Sequence, residues 1–599
     1  LPETVLSAPV TVLDREEIES SGAADVAELL RSVPGIHISK LGIRGSRSTV
    51  TVRGSEENSV LVLVDGIPVN DLIDPAGGSV DLSRLSLENV VRIEIVRGPV
   101  SSLYGSEAMA GVIHVLTEEP SAGNQPARPE VRAEASLGGH ASHRLGGSVR
   151  FARDAFGLSL AASQRRYGPQ LADDESELAT AQAVASVALG AHRTLHLQAR
   201  LADGISLGFP GNGGGPEFSV LRELARQESR DVIWGTDING EGPGGMVWTG
   251  GVDSFSRHLD DRTPPILDGN PPGEGSQPSI EGSAEFTRLR FHGSARQRWG
   301  EHWTGNLLVE WRRETGEADY RIAEIIPSRF QKDRNTAAAG AELAYARGPA
   351  TAVAGVRLDR PEGHGGEASP RMGVTLELPG LRHRVKANWG QGFRLPSLHA
   401  LAEPNAGNPD LLPERTTSWD AGWETEGCGG RCELSLTWFR VRYRDLVDFD
   451  PRLFRLVNRD EVLAQGVELE ARHQFSGVVL LRWAATWQDV DVVGSDAVLR
   501  DRPRLRGTGS LVWHSRPDLT LRLDLTAVGR RHDFQVPVPE RDVVGGYTTL
   551  DLHARWRLSP RWEVVGYVEN LLNRKYHEFV GFPHPGLQWL AGLRFRTSH

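Results

Sequence analysis

Two cysteines stand close together in Gly427-Cys428-Gly429-Gly430-Arg431-Cys432, and they are the only two in 599 residues. A structural zinc site needs about four ligands, and no second pair lies nearby in the sequence. A redox dithiol usually has two intervening residues and precedes a helix. Here three residues intervene and strand-like runs flank both sides. The spacing predicts a small disulfide between Cys428 and Cys432 clamping a hairpin turn, with a free pair as the alternative. A disulfide fits an oxidising, extracytoplasmic compartment. Neither a nucleophile elbow nor a His-Glu-x-x-His site is read from the chain, so it is not expected to be an enzyme.

The elements that carry these residues follow from pattern. Lys and Arg number 67 against 78 Asp and Glu, a net charge of −11, which argues against nucleic acid as a partner. No run of about 18 apolar residues occurs, so no membrane-spanning helix is expected. A transmembrane barrel is not excluded by this, because its signal is alternation rather than a long apolar run. With 67 Gly and only 3 Met, a helical solenoid is also disfavoured. The length suggests roughly four ordinary domains, but the pattern divides the chain into two unequal parts. The chain opens at Leu1 without a basic or apolar leader, so any signal peptide is expected to have been removed.

Residues 1–120 read as a small α+β domain. Asp14-Arg15-Glu16-Glu17-Ile18 looks like a helix start, and Ala24 to Val33 has helical spacing up to Pro34-Gly35. Short β-like runs follow at 49–53, 60–64 and 90–96. From residue 121 to 599 the period changes to two. Leu519, Leu521, Leu523 and Leu525 alternate with Thr520, Arg522, Asp524 and Thr526, and Leu195 to Leu201 behaves alike. One face of each strand is apolar and the other carries full charges. Trp303, Trp311, Trp389, Trp423, Trp438, Trp556, Trp562 and Trp589 fall at or near strand ends, as in aromatic girdles. The expectation is an all-β transmembrane barrel of about 22 antiparallel strands with the N-terminal domain inside its wide lumen.

Ordered motifs make the reading specific. Ile43-Arg44-Gly45, Val52-Arg53-Gly54, Val60 to Pro68 with Asp65-Gly66, Ile93 to Pro99 with Arg97-Gly98, and Tyr104-Gly105-Ser106-Glu107-Ala108 occur in that order. Downstream come Phe393-Arg394-Leu395-Pro396, Asn408-Pro409-Asp410-Leu411, Gly466-Val467-Glu468 and Val568-Glu569-Asn570-Leu571. Together these resemble the TonB-dependent outer-membrane receptors, in which a plug domain fills the barrel. The resemblance implies a monomer in outer-membrane lipid, driven by TonB with ExbB and ExbD. It also implies a TonB box before the first plug strand, which is read at Pro9 to Leu13. Only Leu1 to Ala8 precede that strand, so Glu3-Thr4-Val5-Leu6-Ser7 is a degenerate candidate at best. Arg53 and Arg97 are expected to pair with carboxylates on the wall or within the plug. Gly98, Tyr104 and Gly105 are expected to make the tight turns that seat the plug against the wall.

The segment from Tyr104 to Ile113 and the total length lean towards the cobalamin receptors; ferric siderophore and then haem receptors are the alternatives. Ligand contacts are expected from Arg47 and Ser48 on one plug loop and from Asn70, Asp71 and Asp74 on the next. No cofactor is required, although calcium in the outer loops is a further expectation, with Asp173, Asp174, Glu175 and Asp203 as ligands. His37, His114 and His399 are the histidines a haem reading would use, and a structural or solvated role is favoured for them.

Overall fold

Alternating apolar and charged residues produce a strand with one face for lipid and one for a polar lumen, and 22 such strands close on themselves. The structure, a computed structural model, describes residues 8–597 apart from 121–128, 379, 381, 451 and 460. The candidate TonB box at residues 3–7 and most of the expected linker therefore lie outside the described residues. Every barrel pairing is antiparallel, and the first strand, Glu130–Gly138, pairs with the last, Gln588–Arg596. Connections alternate in length around the ring. Short turns such as 300–302, 348–349 and 477–478 mark one end, and longer connections such as 209–224, 395–413 and 570–587 mark the other. Short turns face the periplasm in bacterial barrels and long loops face outward.

The lipid face shows the expected girdles. Near the short turns Trp303 packs on Tyr345 at 4.6 Å and Trp562 on Phe595 at 5.0 Å. Towards the long loops Phe291 packs on Trp311 at 5.7 Å, and Trp389 sits opposite Trp419. Between the girdles Leu307 and Val309 are 61% and 60% exposed, as a lipid-facing surface requires. Spans of about 9–11 residues are enough to cross a membrane. Ile280–Trp299, Trp303–Ile322 and Ile326–Arg347 have 20, 20 and 22 residues, so their outer halves stand clear of the bilayer.

The plug is built on a five-stranded sheet. In chain order its strands are β1 (Val10–Asp14), β4 (Val60–Val64), β5 (Ile67–Pro68), β6 (Val90–Arg97) and β7 (Gly111–Thr117), arranged β1-β6-β7-β4-β5. A separate hairpin joins β2 (Ile36–Lys40) to β3 (Ser48–Val52). Helix α1 (Arg15–Ser21) starts at the expected place, where the Asp14 carboxylate accepts from the Glu17 N–H. Helix α2 is shorter than its spacing suggests, Val26–Leu30, with Asp25 as its cap. Val26, Leu30, Val62, Ile93, Ile95 and Ile113 are at most 1% exposed and form the core between sheet and helices. Burying each such side chain contributes about 1.5–3 kcal/mol.

The lumen is filled by this plug, so removing it must leave a pore. A chain lacking residues 1–120 should insert as a barrel and give large, steady conductance in planar bilayers, while the full chain stays closed. Equal conductance from both would contradict a plug that seals the lumen.

Candidate functional site

Inward-facing charges on the wall need partners, and the plug supplies them. Arg53, 1% exposed, donates through Nε and Nη2 to the two oxygens of Glu468 at 2.8 and 3.0 Å, and through Nη1 to Asp420. Its guanidinium lies 4.6 Å from the centre of the Phe439 ring. Arg97 donates from Nη1 to Glu468 at 3.1 Å and to the Pro34 carbonyl at 3.1 Å. Its Nη2 reaches Glu470 at 2.6 Å and the Thr11 hydroxyl on β1 at 3.0 Å. Burial opposes the Arg97 charge, but Glu468 and Glu470 outweigh it and hold the guanidinium above its ordinary range. Two plug arginines are thus tied to three wall carboxylates.

The turns around this cluster require glycine. Gly98 has φ 100°, and an added Cβ would lie 3.3 Å from an Asp420 oxygen. Gly105 has φ 86°, and its Cβ would come within 3.0 Å of Arg357. Both conformations are left-handed and close to the wall. Tyr104 packs against the plug cluster of Leu61, Leu63, Val96 and Val112.

A second charged contact between plug and wall has no sequence motif that names its wall partners. Glu107, 2% exposed, lies 3.5 Å from Arg312 and 3.7 Å from Arg288. Arg312 also donates to the Ser106 hydroxyl at 3.0 Å. Behind them Glu314 pairs with Arg288 at 3.0 Å and Arg334 at 2.8 Å. The available signal was the inward phase of Arg288, Arg312 and Glu314 on their strands, which demands a charged partner from inside the lumen.

On the outer side of the plug, three of the five expected ligand residues form one charged patch. Arg47 donates from Nη2 to Asp74 at 2.9 Å and to Ser79 at 2.6 Å, with its side chain 36% exposed. The carboxylates of Asp74, Glu57 and Asp81 hold the Arg47 guanidinium well above its ordinary value. Asp261 on the wall also acts on it. Asp71 caps the Ile73 N–H at 2.9 Å and lies 3.8 Å from Arg257, and burial pushes its carboxyl up to about 6. The other two residues brace the plug itself. Asn70 is fully buried, accepting from the Val62 N–H and donating to the Val60 and Gly78 carbonyls. Ser48, 2% exposed, donates to the Ser46 carbonyl, and its N–H goes to Asp81.

The plug's outermost loop, 41–47, is held by barrel residues. Arg44 lies 5.2 Å from the Tyr167 ring centre and 4.5 Å from that of Tyr567. Leu41 packs against Phe209, Phe579 and Phe582 of the outer loops. Asp501 joins His37 at 3.1 Å and Ser39, both on β2, to Arg531 at 2.8 Å.

The acidic quartet does not assemble. Asp174 accepts from the backbone N–H groups of Gln170 and Leu171, Glu175 pairs with Arg166 at 2.8 Å, and Asp203 pairs with Arg230 at 2.8 Å. Asp203 lies within the strand Arg193–Gly208, not on a loop. Arginines on neighbouring strands thus pair with Glu175 and Asp203, while Asp174 is held by its own loop backbone. Among the described residues, the one His/Cys/Asp/Glu group with ligand atoms within 4.8 Å of one another is Cys428, Cys432 and His473. The expected disulfide between Cys428 and Cys432 is present, in the turn of a short-turn hairpin.

The three histidines occupy separate settings. His37 meets Asp501, and His114 lies 4.0 Å from Glu94, with burial pulling its imidazole down to about 4. His399, in the helix Leu398–Ala402, packs edge-on to Phe330. A Gly-x-Ser-x-Gly spacing does occur at Gly204–Gly208, but it continues a barrel strand and forms no strand-to-helix elbow.

Arg53→Ala leaves Glu468 and Asp420 buried without their main partner, so it should destabilise the seated plug by about 3–5 kcal/mol. Urea-dependent accessibility of a cysteine introduced in the plug would measure this; an unchanged midpoint would contradict the account. Asp71 has a folded-state value above its ordinary one. The stability it allows is therefore full below about pH 4 and lost as the pH rises through about 6. Asp71→Asn should raise the plug's melting temperature at pH 7.5, and the gain should vanish on acidification below about pH 4.

Two family models match the chain: "TonB dependent receptor-like, beta-barrel" over residues 142–571 and "TonB-dependent Receptor Plug Domain" over residues 3–112. A vitamin B12 transporter, BtuB, of Vibrio vulnificus is 24% identical, over 99% of this chain and 93% of its own length. The BtuB of Photobacterium profundum is also 24% identical, over 95% and 89%. Among solved structures, the siderophore receptor PirA of Acinetobacter baumannii superposes with a TM-score of 0.80 at 16% identity, covering 98% of each chain. The ferric-catecholate import receptor Fiu of E. coli gives 0.81 at 15%, covering 99% of this chain and 97% of its own. With a plug seated in a closed 22-strand barrel, the chain belongs to the TonB-dependent receptors, outer-membrane proteins of transport and not enzymes.

Proposed function

We propose that this receptor imports cobalamin or a related corrinoid. The observation that carries the reading is the end-to-end match to curated vitamin B12 transporters, 99% of this chain against 93% of the relative. The charge of the plug's outer patch supports it. Arg47 is surrounded by Asp74, Glu57, Asp81 and Asp261, a set that repels anionic ligands such as ferric catecholates. An uncharged, amide-rich ligand meets no such penalty and finds donors and acceptors there. The solved siderophore receptors share the fold at 14–17% identity and carry no weight for the ligand.

Uptake would be driven by the inner-membrane proton gradient through TonB with ExbB and ExbD. Strand β1 is the edge of the plug sheet and pairs only with β6. It lines a cavity of about 760 Å³ that also borders Arg97, Asp420 and Glu470. Tension applied ahead of β1 reaches Arg97 directly, because the Arg97 N–H donates to the Pro9 carbonyl and its guanidinium donates to Thr11. Moving β1 thus loosens the arginine that holds Glu468 and Glu470.

Titration of the purified receptor with cyanocobalamin, beside a ferric catecholate and haem, tests the ligand. Binding of cyanocobalamin alone at micromolar concentration is expected. Binding of the ferric catecholate in its place would overturn the corrinoid reading and leave the family assignment intact.

A further inference from the structure

The Cys428–Cys432 disulfide contributes little that its hairpin lacks. Strands Glu414–Gly427 and Cys432–Arg444 are paired continuously from Arg415 opposite Arg444 to Gly427 opposite Cys432. The turn adds the Gly430 N–H to the Gly427 carbonyl at 2.9 Å. The cross-link spans a sequence separation of 4, and loop-closure stabilisation shrinks as the loop shortens. A third group is present that a purely structural disulfide does not need. His473 lies directly opposite Cys432 on the neighbouring strand, and its Nδ1 is 3.1 Å from the Cys432 sulfur. The Phe475 ring holds the imidazole from one side at 4.0 Å. Gly429 and Gly430 leave the turn open, with nothing within 4 Å of where their side chains would be.

We propose that Cys428, Cys432 and His473 form a soft-metal site at the periplasmic rim of the barrel, closed while the disulfide stands and opened by its reduction. A protein dithiol supplies the reduction: its two thiols become a disulfide, and two electrons and two protons convert Cys428–Cys432 into two thiols. A divalent soft or borderline cation then binds both sulfurs as thiolates, displacing the two protons, and takes the neutral His473 imidazole as third ligand. Two thiolates and an imidazole suit a tetrahedral zinc-type ion with its fourth position left to water. The strand ladder on both sides keeps the three residues in place in either state.

The full-length receptor in detergent, with and without reduction by a phosphine, should be titrated with Cd2+ and followed by the thiolate-to-cadmium charge-transfer absorbance. The reduced chain is expected to bind one Cd2+ and the oxidised chain none. His473→Ala should weaken binding by about tenfold or more, and the double variant Cys428→Ser, Cys432→Ser should abolish the band. Absence of a band after reduction would overturn the site. Unchanged affinity in His473→Ala would do so too, since a bare dithiol would then suffice. Circular dichroism of each variant separates loss of binding from loss of the barrel.

Discussion

A charge inside a barrel wall cannot stay unpaired, and that constraint organises this molecule. The alternation that gives lipid an apolar surface also turns Arg, Glu and Asp into the lumen, where solvent is scarce. The wall pairs some of them internally, as Glu314 does with Arg288 and Arg334. Others also meet a charge from the plug. Glu468 and Asp420 receive Arg53, and Arg288 and Arg312 receive Glu107. This part of the attachment is therefore polar and specific, beside apolar contacts such as Met109 against Phe439 and Val441.

The clusters divide their work by height in the barrel. The Arg53–Arg97 group contacts β1 and borders the inner cavity, on the side of the short turns. Asp501 holds β2, and the aromatic cluster around Leu41 holds the outermost plug loop, to the outer loops. Between them lies the β-sheet of the plug, whose apolar core runs on into wall residues such as Phe255 and Phe286.

Much of this was legible in sequence. Period-two alternation reported the barrel, and the arginines beside glycines reported the plug's attachment to the wall. The long strands were not legible, because above the membrane their outward face is also charged: Arg313, Glu317, Asp319 and Arg321 follow Trp311 on the same face. The alternation that marks a span then disappears although the strand continues. Asn70 and Ser48 satisfy their own backbone rather than facing outward, a choice that Asn and Ser offer at any turn and that composition does not reveal. The pairing of the acidic quartet is hidden for a different reason. Which arginine stands beside Glu175 or Asp203 depends on strand register, and register is a property of neighbours rather than of the segment.

The unequal strand lengths give the mouth of the receptor a direction. From Ile280 to Arg347 the rim is tall, continuous sheet, whose cross-strand hydrogen bonds resist bending. Across 529–546 and 570–587 it is made of long connections, of which 570–587 packs Phe579 and Phe582 around Leu41 of the plug. Any opening wide enough for a large solute therefore costs least on the loop side, and the stiff side acts as a fixed jamb.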